Sequence, residues 1–331
     1  MTPALTRRRA ACPLRLLVGV VLGLVGAAGQ AAPGVSEAAV VPKLLAAPLR
    51  DVANCPDPVV IWTERFTAPC VNVAHFLRID LTDARVEAFV ALSVDPDGAR
   101  GPAEGVLTLP DELLRQTGAL ALVNANAFAG IASIKDLPGK SGWYPGRAVA
   151  IEGLAVSGSN RRSPDARQRV AFWLDDQGKP HLGHPGAKDV VRQAVADWAA
   201  PLVVDGRNVA ASDPVTATPL PEPAAGSQRP SAAPRHPRSM LGFDRAGRWL
   251  LLVVVDGRQA RHSLGMTLAE GAEVMRSHGC TEAINLDGGG SSILIACDAA
   301  GKPVTLNQPS AGTPRPVPVM IGVRPARAQA R

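Results

Sequence analysis

The stretch EAINLDGGGSSIL, residues 282 to 294, narrows most sharply what this chain can fold into. Apolar runs lead into and out of a turn built from Asn285, Asp287, three glycines and two serines. Short apolar runs bounded by turn residues read as buried strands, so the stretch predicts a strand, a turn and a second strand. A tight hairpin needs only two turn residues, and Gly288, Gly289 and Gly290 together exceed that need. Glycine lets backbone N–H groups approach a ligand without a Cβ in the way and permits positive φ. Consecutive free N–H groups form a concavity that binds anions. The expectation is therefore an anion site at the lip of which stands the Asp287 carboxylate, with Asn285 and Ser291 beside it. Neither a phosphate-cradling Lys, nor G-x-G-x-x-G, nor G-x-S-x-G order is present, which excludes the better-known glycine loops.

The flanking sequence predicts how that turn is held. SMLGFDRAGRWLLLVVVDGRQ reads as a hairpin around DRAG, and TLAEGAEVMRSHG as a helix with Thr267 as N-cap, Glu270 completing a capping box and Gly279 as stop. Further upstream, LTLPDELLRQTG reads as a helix with Pro110 in its first turn, Asp111 and Glu112 at the positive end of its dipole, and Gly118 as stop. HFLRIDLTDARVEAFVAL gives two β-type runs around a TDAR turn, ALALVNANAF a buried strand ending in Asn124 and Asn126, and residues 147 to 209 a set of hairpins and meanders. Strands and helices are mixed rather than alternating. The fold class expected is α+β, with mixed β-sheets, packed helices and a single catalytic domain. That domain spans residues 75 to 325 of the 331, after a lead-in at 32 to 74 and before a short tail at 326 to 331. Residues 210 to 237 are rich in Pro and Ala, a composition that does not order itself. A linker and a loop over a site both fit; the strand pattern resuming on the far side favours the loop.

The N-terminus carries Arg7, Arg8 and Arg9, an apolar run from Leu14 to about Ala28, then small residues, the layout of a signal peptide over residues 1 to 31. An uncleaved anchor is the alternative, although the run is short for a membrane span. Its loss takes four basic residues and no acidic ones, so 35 basic against 29 acidic residues becomes 31 against 29. The overall charge of +6 thus gives no reason to expect nucleic acid as a partner. Cleavage also removes Cys12 and leaves four cysteines, which an oxidising compartment would pair. Of the three connectivities, the local one, Cys55 with Cys70 and Cys280 with Cys297, is expected. The protein is read as secreted or periplasmic, with no later spanning segment.

Polar clusters at strand ends supply the chemistry. Asp256 and Arg258 follow the run LLLVVV, and Arg235, His236 and Arg238 precede the next predicted strand. Two carboxylates, several guanidinium groups and an anion nest suit a phosphorylated, otherwise neutral substrate. The six His follow no metal-ligand spacing, so no metal and no cofactor is expected, although a divalent cation on Asp256 and Asp287 would make a metal-dependent phosphodiesterase. For His236 and His262 a surface position is favoured over a place in such a cleft, and Trp143 with Tyr144 forms either a small aromatic platform or a packed loop.

NANAF, RHPRSMLGFDRAGRWLLLVVVDGRQ, GMTLAEGAEVM, AINLDGGGSS, LNQPS and RPVPVMIGV together resemble the phosphodiester glycosidase family. The resemblance implies a hydrolase that cleaves a sugar 1-phosphodiester, of the α-N-acetylglucosamine 1-phosphate type, at the anomeric carbon, in exopolysaccharide or cell-surface glycan metabolism. It places Asn126, Arg238, Asp256, Asp287, Gly288, Gly289 and Ser291 around the substrate. NANAF departs from the family pattern, in which Asn is commonly followed by two glycines and an aromatic pair. The roles expected are Asp287 as nucleophile or base, Asp256 as its orienter, Arg238 as phosphate clamp and Asn126 as a sugar-hydroxyl ligand. Asn124, Asn285, Arg258 and Gly290 complete the set. A non-catalytic glycan-binding or polysaccharide-assembly protein on the same fold is the alternative.

Overall fold

The computed structural model describes residues 43–45, 56–98, 101–163, 169–199, 201–210 and 234–326. The segment expected to be a signal peptide, Cys55, residues 211–233 of the Pro/Ala-rich segment and most of the tail lie outside them. The chain divides into two compact units, Met1–Ala38 and Ala39–Arg331, and every described residue belongs to the second.

Strand accounts for 41% of the described residues and helix for 9%, so the described part is mostly β and the α+β expectation is corrected. An eight-stranded sheet runs in the order Lys43–Leu45, Val59–Phe66, Asn72–Asp80, Trp249–Val255, Arg238–Phe243, Glu282–Asn285, Pro201–Val204 and Arg207–Asn208. Its first pair is parallel and the rest antiparallel. A five-stranded antiparallel sheet runs Pro303–Thr305, Leu294–Cys297, Ala121–Asn124, Val319–Pro325 and Val86–Leu92. The meanders expected in the middle form a second five-stranded sheet from Ala155 to Ala196, and a three-stranded one joins Gly105–Val106, Ala148–Ile151 and Phe128–Gly130.

Sheet packing explains why helices are few. Leu250, Leu252 and Val254 point into a central core shared with Val123, Leu294, Val319 and Ile321 of the five-stranded sheet. Leu251, Val253 and Val255 point the other way, into a second core beneath the helix Leu268–Ser277. Both faces of that strand are dry, which is why WLLLVVV is a continuous apolar run without polar alternation. On the far side, the helix Pro110–Thr117 buries Leu113 and Leu114 against the outer face of the five-stranded sheet. The inner faces cover each other, leaving helices needed only as one pad on each outer face.

Both helices begin and end where their sequences indicate. Thr267 accepts from the Glu270 N–H while the Glu270 side chain accepts from the Thr267 N–H, a closed capping box. Gly118 takes φ 66° at the end of the first helix. Among the described residues, no helix is long and apolar enough to cross a membrane.

The glycine turn is not a hairpin. Glu282–Asn285 belongs to the eight-stranded sheet and Leu294–Cys297 to the five-stranded one, so the turn carries the chain between layers. That crossing also corrects the cysteine pairing. Cys280 packs in the core under the helix Leu268–Ser277, while Cys297 lies against the core under the other helix, on the opposite outer face. A disulfide needs Cα atoms within roughly 7 Å, and two outer faces separated by a packed double sheet do not meet it; both are free thiols, as is Cys70.

Candidate active site

The ends of both sheets that carry the turn bring the site together. Arg238 opens its strand and pairs with Val255, so Asp256, the next residue, emerges at the same end. Asn124 closes its strand in the other sheet, where its Nδ2 donates to the Asp287 carbonyl at 2.6 Å. The Asn124 Oδ1 accepts from Ser239 Oγ (2.7 Å) and the Ile293 N–H (3.0 Å), so this one side chain ties the two sheets and both arms of the turn. Three of its four hydrogen-bonding sites are thereby used within the protein, and the residue is 1% exposed.

Each glycine of the turn answers to a different neighbour. A Cβ on Gly288 would lie 2.8 Å from the Pro237 carbonyl oxygen. Gly289 adopts φ 61°, and a Cβ there would meet the Arg258 guanidinium at 3.1 Å. On Gly290 a Cβ would stand 2.2 Å from an Arg315 guanidinium nitrogen. Gly289 and Gly290 therefore allow two guanidinium groups to lie directly on the turn, while Gly288 admits the Pro237 carbonyl. The Gly289 N–H donates to Pro237 and the Ser291 N–H to Gly288, so the expected row of free amides is partly spent inside the protein. Guanidinium groups, more than amides, are what the turn offers an anion.

Arg315 was not among the residues selected from sequence, although it stands first in RPVPVMIGV; nothing local marks it, because only the return of the last strand brings it to Gly290. Its NH1 donates to Ser291 Oγ at 3.3 Å. Burial, with Arg258 nearby, depresses its pKa against the opposing pull of Asp287. Behind it Arg238 is 2% exposed and donates only to carbonyls, Met266 (2.9 Å) and Pro234 (3.0 Å). No carboxylate pairs with it among the described residues, and burial, then the charge of Arg258, lowers its pKa to about 10. This unpaired buried cation adds to the positive potential around Arg258 and His236. Arg258 is exposed, with φ 61°, and touches His236 at 3.3 Å. Arg235 is spent elsewhere, bound to Glu270 and Gly265 at the helix N-terminus.

Asp287 lies within the field of Arg315 and keeps partial access to solvent. Burial nevertheless pushes its carboxyl up to about 6, opposed by a hydrogen bond from Ser291, the charge of Arg315 and the Gly288 N–H, and reinforced by Glu152. Glu152 is a second carboxylate that sequence reading passed over. It pairs with Arg169, whose guanidinium lies 4.3 Å from the Trp198 ring centroid.

Asp256 is built differently. Oδ1 accepts from Asn307 Nδ2 (3.1 Å) and the Gln308 N–H (2.9 Å), while Oδ2 meets His75 Nε2 (3.2 Å) and His262 Nε2 (2.7 Å). Burial would raise its pKa, but the hydrogen bonds from His75, His262 and Asn307 outweigh it and hold the carboxyl below its ordinary value. Four partners occupy the roughly four lone-pair sites of a carboxylate, which leaves Asp256 no capacity to attack a substrate. Asn307 also donates to the Ser292 carbonyl at 3.2 Å, joining this cluster to the end of the glycine turn.

Asn126 and Asn285 direct their amide NH2 groups inward, to the carbonyls of Glu152, Gly153 and Leu154 and to those of Trp198 and Leu286. The Oδ1 of each is buried without a hydrogen-bond partner. In the aromatic pair, Tyr144 is buried and its hydroxyl accepts from the Leu137 N–H, whereas Trp143 is exposed, with Phe128 edge-on and Arg147 over its ring.

A family model described as phosphodiester glycosidase matches residues 117–324. The chain belongs to the phosphodiester glycosidase family. Two solved structures share its fold. A hypothetical protein from Synechocystis is 16% identical with a TM-score of 0.55; the match covers 82% of this chain but only 64% of the other, so this chain spans less than two thirds of it. The catalytic domain of zebrafish N-acetylglucosamine-1-phosphodiester α-N-acetylglucosaminidase, auto-inhibited by its pro-peptide, is 18% identical with a TM-score of 0.57, covering 82% of this chain and 85% of that one. No curated protein sequence matches the chain.

Proposed function

We propose that this protein is a secreted hydrolase that cleaves a sugar 1-phosphodiester at the anomeric carbon. The observation that carries the reading is the meeting of the guanidinium groups of Arg258 and Arg315 on a glycine turn whose own carboxylate, Asp287, has its pKa raised to about 6. Breaking the bond from the sugar to phosphate develops positive charge at the anomeric carbon and negative charge on the departing phosphate. Arg258 and Arg315 take the phosphate, and buried Arg238 supports them through its field. Fixed cations aimed at the developing charge contribute without reorganising. Asp287 acts as base toward the attacking water; a carboxylate raised to about 6 is a stronger base than an ordinary one and is still ionised at neutral pH.

The substrate class follows the family and the name of the zebrafish enzyme, and the leader sequence supports export. The test is release of free N-acetylglucosamine from an α-N-acetylglucosamine 1-phosphodiester by the wild type and by Asp287→Asn. Release by the wild type alone supports the reading. A folded wild type inert on this and on a panel of other sugar 1-phosphodiesters overturns it in favour of glycan binding without turnover.

A further inference from the structure

Beside the turn, a fully buried carboxylate, Asp256, orients two histidines that take no part in the roles of Arg258, Arg315 and Asp287. Asp256 is ionised and accepts only, so His75 and His262 each present Nε2–H to its Oδ2. For His75 this fixes a closed role: its Nδ1 accepts from Thr63 Oγ1 at 3.0 Å, and the ring is buried. His262 differs. Its side chain is 25% exposed, and its Nδ1 has no hydrogen-bond partner among the described residues. A carboxylate holding one imidazole nitrogen while the other faces solvent is the arrangement that presents a histidine for proton transfer.

The ring also stands in the right neighbourhood. His262 belongs to the loop between Val255 and the helix at Leu268, which also carries Arg258, the guanidinium lying on Gly289. Gln259 of that loop bonds to Gln308, and Asn307 bridges Asp256 to Ser292. The dyad and the glycine turn are thus parts of one bonded frame.

We propose that His262, held by Asp256, donates the proton taken up by the departing phosphate. The inference rests on the hydrolase reading. As the bond from the anomeric carbon to the phosphate oxygen breaks, its electron pair stays on that oxygen, which takes the Nδ1 proton of the doubly protonated His262 ring and leaves the neutral ring with its Nε2–H on Asp256. Water bonds to the anomeric carbon and gives its proton to Asp287, and solvent returns a proton from Asp287 to His262. The titratable and charged groups around the ring are Asp256, His75 through the shared oxygen, and Arg258 and Arg261 in its own loop. Segment 307–308 contributes only neutral amide donors.

The experiment compares two substrates, α-N-acetylglucosamine 1-(methyl phosphodiester) and α-N-acetylglucosaminyl fluoride, whose leaving group needs less protonation. His262→Gln keeps an N–H for Asp256. It is expected to lower kcat on the phosphodiester about 100-fold, the small end of the range for proton transfer because phosphate already leaves well. Turnover of the fluoride stays near wild type, and the alkaline limb of the phosphodiester pH profile disappears. His262→Ala is expected to regain phosphodiester turnover with added imidazole. Equal loss on both substrates, no loss on either, or failure of imidazole to rescue a folded His262→Ala overturns the role of His262 while leaving the hydrolase reading intact. A wild type silent on both substrates overturns both.

Discussion

Gly290→Ala tests the site with the least disturbance to the fold. The new methyl would lie 2.2 Å from an Arg315 guanidinium nitrogen and 2.5 Å from Cζ, where ordinary contact begins at 3.4 Å. The guanidinium must therefore retreat by about 1.2 Å, the difference between 3.4 and 2.2. Gly290 is not among the glycines with positive φ, so alanine fits its backbone, and the clash falls on the far end of a flexible side chain. What is lost is position: Arg315 gives up Ser291 and its place beside the phosphate. One hydrogen bond to a charged group is worth roughly 1.5–3 kcal/mol, which corresponds to about a 10- to 150-fold fall in kcat/KM. Moving Arg315 away also removes a charge that lowers the Asp287 pKa, so the acid limb of the rate profile shifts above its starting position near 6. The assay is sugar release from the phosphodiester across pH 4 to 9 in roughly half-unit steps, with thermal melting as the control. Unchanged kcat/KM and an unmoved acid limb in a folded Gly290→Ala protein would refute the placement of Arg315.

Other consequences are equally open to measurement. Asp287 has a folded pKa above its unfolded value, so its contribution favours the fold at low pH and is lost as pH rises toward about 6. Asp287→Asn should accordingly abolish turnover yet melt above the wild type, by a margin that grows up to about pH 6 and is level beyond; a margin independent of pH contradicts the assignment. Asp256→Ala removes the acceptor of four hydrogen bonds and should cost about 3–5 kcal/mol in urea unfolding, as breaking a buried charged network does. A loss under about 1 kcal/mol would mean that the network is not holding the sheet ends together. Alkylation in denaturant without reductant should label both Cys280 and Cys297; protection of the two until reductant is added would restore the bridge that the fold excludes.

Local signals carried far in this chain because they act over a few residues. Thr267 with Glu270, Gly118 after its helix and the run WLLLVVV each state a nearest-neighbour preference, and the helix boundaries and buried strands follow from them. The excess of glycine in DGGGSS likewise announced a turn approached closely by other groups. Which groups approach it was not legible, because Arg315 arrives from the last strand, His75 from the third strand of the eight-stranded sheet and Asn307 from beyond the turn, and contact across such separations leaves no period in the sequence. Fold class failed for a related reason: a strand signal does not say whether a helix or another sheet will cover its face. The cysteine pairing followed proximity in sequence, whereas the turn sends its two arms into different sheets and Cys280 and Cys297 to opposite outer faces. Sequence alone thus determined the elements, the turn and the chemical character of its residues. Tertiary structure decided that Asp256 is saturated while Asp287 is poised, since the state of a carboxylate depends on how many donors and how much water surround it in space.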